Sequence, residues 1–196
     1  MTTGTPSAAS RVRNAVTEIA VTAVLAVVIY IIVQTFVVQT YQVEQQSMEP
    51  GIEPGQHLLV DKLSPHFDDY SRGDIIVFHP PDGAPDDTPY IKRVIGVAGD
   101  HVQIKTGSVF VNGVRLIEPY VDATLNPDGT TGDGSWDVPA GDLWVMGDHR
   151  SQSSDSRAFG FVPVSSVIGR AWLRFWPLDT LTILQTPTYP GVPATP

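Results

Sequence analysis

Apolar positions are unevenly spread along this chain, and they divide it into two parts. From Ile19 to Val43 no residue is charged, and Val, Ile, Ala and Leu predominate. A bilayer core needs ~20 such residues as helix. Nearly every face of this run is apolar, unlike the single apolar stripe of a helix on a globular surface. It also exceeds the roughly 7–15 residues of a cleavable signal's apolar region, and its outer end, Gln34 to Tyr41, is too bulky for small-x-small cleavage. The expectation is an uncleaved transmembrane anchor over 17–40, preceded by a cytoplasmic tip over 1–16.

Beyond the anchor the pattern changes to short β-rich runs separated by Gly and Pro, 17 of each in the chain. Such punctuation is typical of an all-β domain. Strands are predicted near Gln56–Asp61, Asp74–His79, Tyr90–Val97, His101–Ile104, Ser108–Val111, Val114–Ile117, Leu143–Met146 and Val167–Trp176. Asn112-Gly113 between two of them supplies the positive φ angles of a type I′ hairpin turn. Pro80–Pro89 and Asp122–Asp137 read as loops. The expected organisation is an extracytoplasmic β domain over 41–177 and a loosely ordered Pro/Thr-rich tail over 178–196. No internal repeat is visible.

Composition narrows the chemistry. Cysteine is absent, so disulfides, thiolate metal sites and cysteine nucleophiles are excluded. Acidic residues outnumber basic ones, 21 to 12, which argues against nucleic acid as a partner and otherwise reads as solubility. Arg11 and Arg13 precede the apolar run, and no Lys or Arg follows it until Lys62. The positive-inside rule then keeps the N-terminus cytoplasmic and puts the large domain outside a plasma membrane crossed once. Arg170–Trp176, rich in Trp and Arg, reads equally as a lipid-facing strand or a core strand.

Two residues stand out as chemistry. Lys92 lies inside the apolar strand Tyr90-Ile91-Lys92-Arg93-Val94-Ile95-Gly96-Val97, on the face shared with Tyr90 and Val94. Taken alone, such a lysine is more often a rim residue whose amine snorkels into water. Buried, it would lose part of its proton affinity and become a base near neutral pH. Ser47, in Gln45-Gln46-Ser47-Met48-Glu49-Pro50, taken alone reads as an ordinary turn serine.

A third segment, Gly147-Asp148-His149-Arg150-Ser151-Gln152-Ser153-Ser154-Asp155-Ser156-Arg157, changes the weighing. The three segments, in this order, resemble the type I signal peptidases of bacteria, and the resemblance runs from the anchor to about Pro177. Gly73–Phe78 matches a further shared strand, of structural meaning. The resemblance implies an antiparallel β-sheet catalytic domain of the signal peptidase type, with Ser47 as nucleophile and Lys92 as general base. It implies that Ser153 hydrogen-bonds the lysine nitrogen, that Asp155 and Arg157 brace the loop, and that Asp148 pairs with Arg93. The Ser47 backbone N–H would bind the oxyanion, joined by Gln45 where relatives often carry a serine. Other departures are Gly51 for Thr, Gln56 for Asp and His149 for Asn. Tyr41, Val43, Met48, Ile52, Tyr90, Ile91 and Ser154 are expected to line two shallow pockets for alanine-sized side chains. The expected partners are signal peptides of exported preproteins, membrane lipid and the protein-export channel; no metal or cofactor is expected.

Other readings stay open on sequence alone. Five histidines permit a Ser-His-Asp site at His149 beside Asp148, but leave the lysine segment unexplained. Metal-ligand spacing is missing. A Ser-Lys peptidase dedicated to one secretion or conjugation substrate, or a catalytically silent membrane-tethered β binding module, would each be settled by assaying preprotein cleavage.

Overall fold

The computed structural model describes residues 8–32, 34, 37–63, 69–81 and 87–193. The outermost part of the expected tip, the middle of the 80–89 loop and the last three residues of the tail lie outside these.

The apolar run forms helix α1, Ala8–Ile32, of 25 residues. At 1.5 Å per residue that is roughly 37 Å, enough for a hydrocarbon core of ~30 Å. Its Val, Leu and Ile side chains from Val16 to Ile31 are not covered by protein. Against the expected 17–40 window, α1 starts earlier, at Ala8, residues 34 and 37 have π-helical geometry, and Val38–Gln42 is a strand, β1. The absence of charge that marks the span hides this change, because Val38-Gln39-Thr40-Tyr41-Gln42 continues the run without a charged residue.

The remaining unit, 39–196, is built mainly from antiparallel strands. Its strands are β2 (His57–Asp61), β3 (Ile75–Phe78), β4 (Tyr90–Gly96), β5 (His101–Lys105), β6 (Ser108–Val111), β7 (Val114–Arg115), β8 (Gly134–Asp137), β9 (Asp142–Met146), β10 (Val162–Pro163), β11 (Val167–Trp176) and β12 (Thr182–Ile183). A short helix α2, Ser156–Phe159, sits between β9 and β10. One sheet runs β1-β2-β11-β3-β4-β9-β10, with β12 paired to β11; a smaller one runs β7-β6-β5-β8. The β6–β7 turn carries Asn112 at φ 52° and Gly113 at φ 80°, the geometry its sequence requires.

Three apolar clusters hold this unit together. Val43, Met48, Ile52, Leu58, Val60, Ile75, Val77 and Ile91 form one; Ile76, Phe78, Tyr90, Val94 and Val145 form a second on the other side of β3 and β4. The third joins the smaller sheet to Trp144 and Met146. Strand β4 lies between β3 and β9 and all seven of its residues are buried. A side chain on either face of β4 is therefore out of water, which decides the state of Lys92.

One expected loop and the expected loose tail are structured in part. Gly134–Asp137, inside the 122–137 loop, is β8, paired with β5. Trp136 stacks on Trp144 with ring centroids 4.2 Å apart, a long-range contact that weak local alternation does not announce. The tail is not loose through Pro193. Leu184 donates its N–H to Trp172 at 2.8 Å, Thr186 Oγ1 donates to Asp74 at 2.9 Å, and Arg72 donates to the Pro193 carbonyl at 2.7 Å. Tyr189 and Val192 pack on the third cluster.

Candidate active site

Ser47 and Lys92, 45 positions apart, meet. Lys92 Nζ lies 2.8 Å from Ser47 Oγ and 2.9 Å from the carbonyl oxygen of Ile91. The turn after β1 carries the serine, closed by Glu49 N–H to Gln46 O at 3.1 Å and Ile52 N–H to Met48 O at 2.9 Å. Met48 and Ile52, fully buried, pin this turn to the first cluster. Lys92 is 1% exposed. Burial lowers its amine to a pKa of about 8, against the partial opposition of Asp155 and Asp148. The ammonium is also 5.2 Å from the centroid of the Tyr90 ring. A largely desolvated amine at hydrogen-bond distance from a hydroxyl is the geometry for proton transfer between them.

On the opposite side of β4, Arg93 forks onto Asp148 at 2.8 and 2.7 Å and donates to the Gly73 carbonyl at 2.8 Å. Arg157 forks onto Asp155, at 2.8 Å to each oxygen, and donates to the Arg150 carbonyl at 2.7 Å. Asp155 in turn accepts the Gly147 N–H at 3.0 Å. Hydrogen bonds and the guanidinium of Arg157 hold its carboxyl below the usual range although burial pushes the other way. These pairs fasten both ends of the 147–157 segment. His149 N–H donates to the Ser47 carbonyl at 3.0 Å, joining that segment to the serine turn.

Not every expected contact forms. Ser153 Oγ is buried against Gly147, leans toward Asp155 without full hydrogen-bond geometry, and makes no bond to Lys92, whose partners are Ser47 and Ile91. The His149 ring lies 3.3 Å from Glu49 rather than on Ser47 Oγ, and Asp148 is taken up by Arg93. A Ser-His-Asp arrangement is therefore not assembled among these residues.

One cavity gathers part of the residues expected to line the two pockets. A cavity of about 240 Å³ is lined by Tyr41, Val43, Gln45 and Ile91, together with Leu58, Val77, Thr88 and Pro89. It reaches to within two residues of Ser47 and adjoins the strand position before Lys92. Met48 and Ile52 lie beneath it in the core, not on its wall. Tyr90 lies on the Lys92 face of β4, its ring 5.2 Å from Lys92 Nζ, 6.0 Å from Phe78 and 6.1 Å from Phe159, and is not part of this cavity's lining; Ser154 is exposed and is not part of it either. Alternation along β4 puts Ile91 and Tyr90 on opposite faces, so of the two only Ile91 lines this cavity. Gln45 is half-buried at the rim, and the Ser47 N–H is not spent on a backbone carbonyl among the described residues.

Arg150 escaped the sequence reading. It is 2% exposed, with Nε donating to the Gly147 carbonyl at 2.9 Å and both Nη atoms on Glu118. Only its place inside the Gly-Asp-His-Arg run hinted at a role; its partner lies 32 positions away.

With this geometry in hand, comparison with known proteins is decisive. Signal peptidase, peptidase S26, matches residues 16–176. The chain belongs to that family, and it is a peptidase. A signal peptidase I of Leptolyngbya laminosa is 43% identical over 147 residues, covering 72% of this chain and 70% of the relative. A signal peptidase I of Bacillus caldolyticus is 40% identical over 144 residues, covering 68% and 77%. The crystal structure of a signal peptidase I from Enterococcus faecalis aligns at 33% identity with a TM-score of 0.47, covering 53% of this chain and 97% of that one.

Proposed function

We propose that this peptidase removes signal peptides from exported preproteins with a Ser47–Lys92 dyad. The observation that carries the reading is the 2.8 Å contact between a serine hydroxyl and a lysine amine that burial has brought to a pKa of about 8. Neutral Lys92 takes the Ser47 hydroxyl proton as Oγ bonds to the scissile carbonyl carbon. The Ser47 N–H, which has no backbone acceptor among the described residues, supports with Gln45 at the cavity rim stabilisation of the resulting oxyanion. The C–N bond breaks, the ammonium returns its proton to the departing amine, and an ester links the signal peptide to Ser47. Water, deprotonated by Lys92, then hydrolyses that ester and restores both side chains.

The cavity beside Ile91 supports binding of a small side chain ahead of the cut, in keeping with small-x-small sites. Arg150, Asp155 and Arg157 act as positioning residues, as do Asp148 and Arg93. α1 anchors the chain, with its N-terminus cytoplasmic and the β unit outside; the Arg11–Arg13 end favours this orientation. Protease added to spheroplasts should digest the β unit, and protection of that unit would reverse the orientation. Trp172 and Trp176, 38% and 50% exposed, support contact between β11 and lipid.

The test is cleavage of a labelled Ala-x-Ala preprotein by detergent-solubilised full-length chain, with the new N-terminus read by mass spectrometry. Ser47→Ala should abolish cleavage while leaving the fold intact. Cleavage at near wild-type rate by that variant would falsify the dyad.

A further inference from the structure

We propose that Tyr189, Tyr120, Glu118 and Arg150 form a positioning relay through which the C-terminal strap, 178–193, holds the turn that fixes the nucleophile. The inference rests on the Ser47–Lys92 reading above. It adds Tyr189, Tyr120 and Glu118, which that reading does not use, and it begins in a segment beyond residue 176, where the family match ends.

The relay starts at Gly147. A Cβ at this position would collide with the Ser47 carbonyl oxygen and with Ser153 Oγ, so the Gly147 backbone bears directly on the serine turn. The Ser47 carbonyl is also fixed by His149 N–H at 3.0 Å. A shift at Gly147 is therefore passed to Ser47. What holds Gly147 is Asp155 on its N–H, at 3.0 Å, and Arg150 Nε on its carbonyl, at 2.9 Å.

Arg150 is a cation whose side chain is 0% exposed, and a buried guanidinium is held only where its charge and its donors are met. Its Nη atoms go to Glu118 and to Thr130 Oγ1. The place of Glu118 thus sets the place of Arg150. Glu118 lies in an irregular segment after β7 and is held by Tyr120, whose hydroxyl donates to Oε1 at 3.0 Å. The Tyr120 hydroxyl also lies 2.7 Å from that of Tyr189. The Tyr120 ring stacks on Arg93, 3.9 Å from centroid to guanidinium carbon, and Arg93 forks onto Asp148. One short segment therefore supports Gly147 through Arg150 and Asp148 through Arg93. Tyr189 fixes that segment from outside, on a strap tied down by Thr186 to Asp74 and by Arg72 to the Pro193 carbonyl.

The experiment uses full-length chain in detergent with the labelled preprotein, measuring kcat and KM separately for wild type, Glu118→Gln, Tyr189→Phe and Ser47→Ala. Glu118→Gln keeps the volume but removes the charge that anchors Arg150. It should lower kcat about tenfold or more with KM within about twofold, since misplacing reacting groups by ~1 Å costs on the order of 10²-fold. Tyr189→Phe removes one hydroxyl, leaves packing intact, and should lower kcat about threefold at constant KM. If Glu118→Gln does not fold, Tyr189→Phe carries the test alone. A lower melting temperature with wild-type kcat in either variant overturns the relay and leaves a merely structural role. Should Ser47→Ala still cleave, the dyad fails and the relay with it; an inactive Ser47→Ala beside fully active Glu118→Gln and Tyr189→Phe sinks the relay alone.

Discussion

Replacing Lys92 by methionine tests the buried base in two independent ways. The perturbation exchanges a desolvated amine for an apolar chain of similar length, so the core keeps its volume. In the folded protein burial brings the amine from 10.5 to about 8. At 1.36 kcal/mol per pKa unit this gap is worth about 3 kcal/mol. The lysine is 1% exposed, so solvent screening does not reduce that figure. The sign follows from proton counts. Between pH 8 and 10.5 the unfolded chain holds the proton that the folded chain has lost, so stability rises with pH across this window. Below pH 8 both states are protonated and the folded state carries the full cost of a buried ammonium. Wild type should therefore gain about 3 kcal/mol relative to Lys92→Met between pH 7.5 and 10.5. Tyr120 and Tyr189, whose phenols burial pushes up, act in the opposite direction above pH 10, but equally in both proteins, so the difference isolates the lysine. The assay is chemical denaturation of the full-length chain in detergent, followed by fluorescence of its four tryptophans. The same pKa predicts that wild-type turnover rises about tenfold from pH 7 to 9, as the neutral fraction grows. Lys92→Met should be inactive throughout. A stability difference that stays flat with pH, or a Lys92→Met protein that cleaves, refutes the reasoning.

Three further predictions test the surroundings. Asp148→Ala leaves Arg93 buried without its counter-ion and should cost about 3–5 kcal/mol in denaturation, as breaking a buried pair does; a loss under about 1 kcal/mol would mean that solvent reaches Arg93. Gly147→Ala should reduce kcat by about 10²-fold, because the new methyl pushes on the Ser47 carbonyl and Ser153; a normal kcat would show that the turn gives way freely. Preproteins with Leu in place of either Ala before the cut should be processed at least about tenfold more slowly, in keeping with the small-x-small sites proposed above; equal processing of Ala- and Leu-ended sites would remove the specificity argument.

Much of this arrangement is set locally and is legible in the chain. Uncharged length marks α1, alternation and Gly/Pro punctuation mark most strands, and Asn112-Gly113 dictates its turn because few residue pairs accept two positive φ angles. Ser47, Lys92 and the 147–157 segment can be picked out through their resemblance to a family. Their chemistry cannot be read from strand β4 alone, since a lysine in an apolar strand is a rim residue or a buried base according to what covers it. Tertiary structure decides that point by placing β4 between β3 and β9 with both faces covered. It also leaves the Ser153 hydroxyl unbonded to Lys92, keeps Met48 and Ile52 in the core rather than on the cavity wall, and pairs β8 with β5. Arg150 finds Glu118 at a separation of 32, and Tyr120 finds Tyr189 at 69. No local periodicity encodes such meetings. They arise because burying apolar surface brings distant segments together, and buried charges then hold only where partners from those segments meet them.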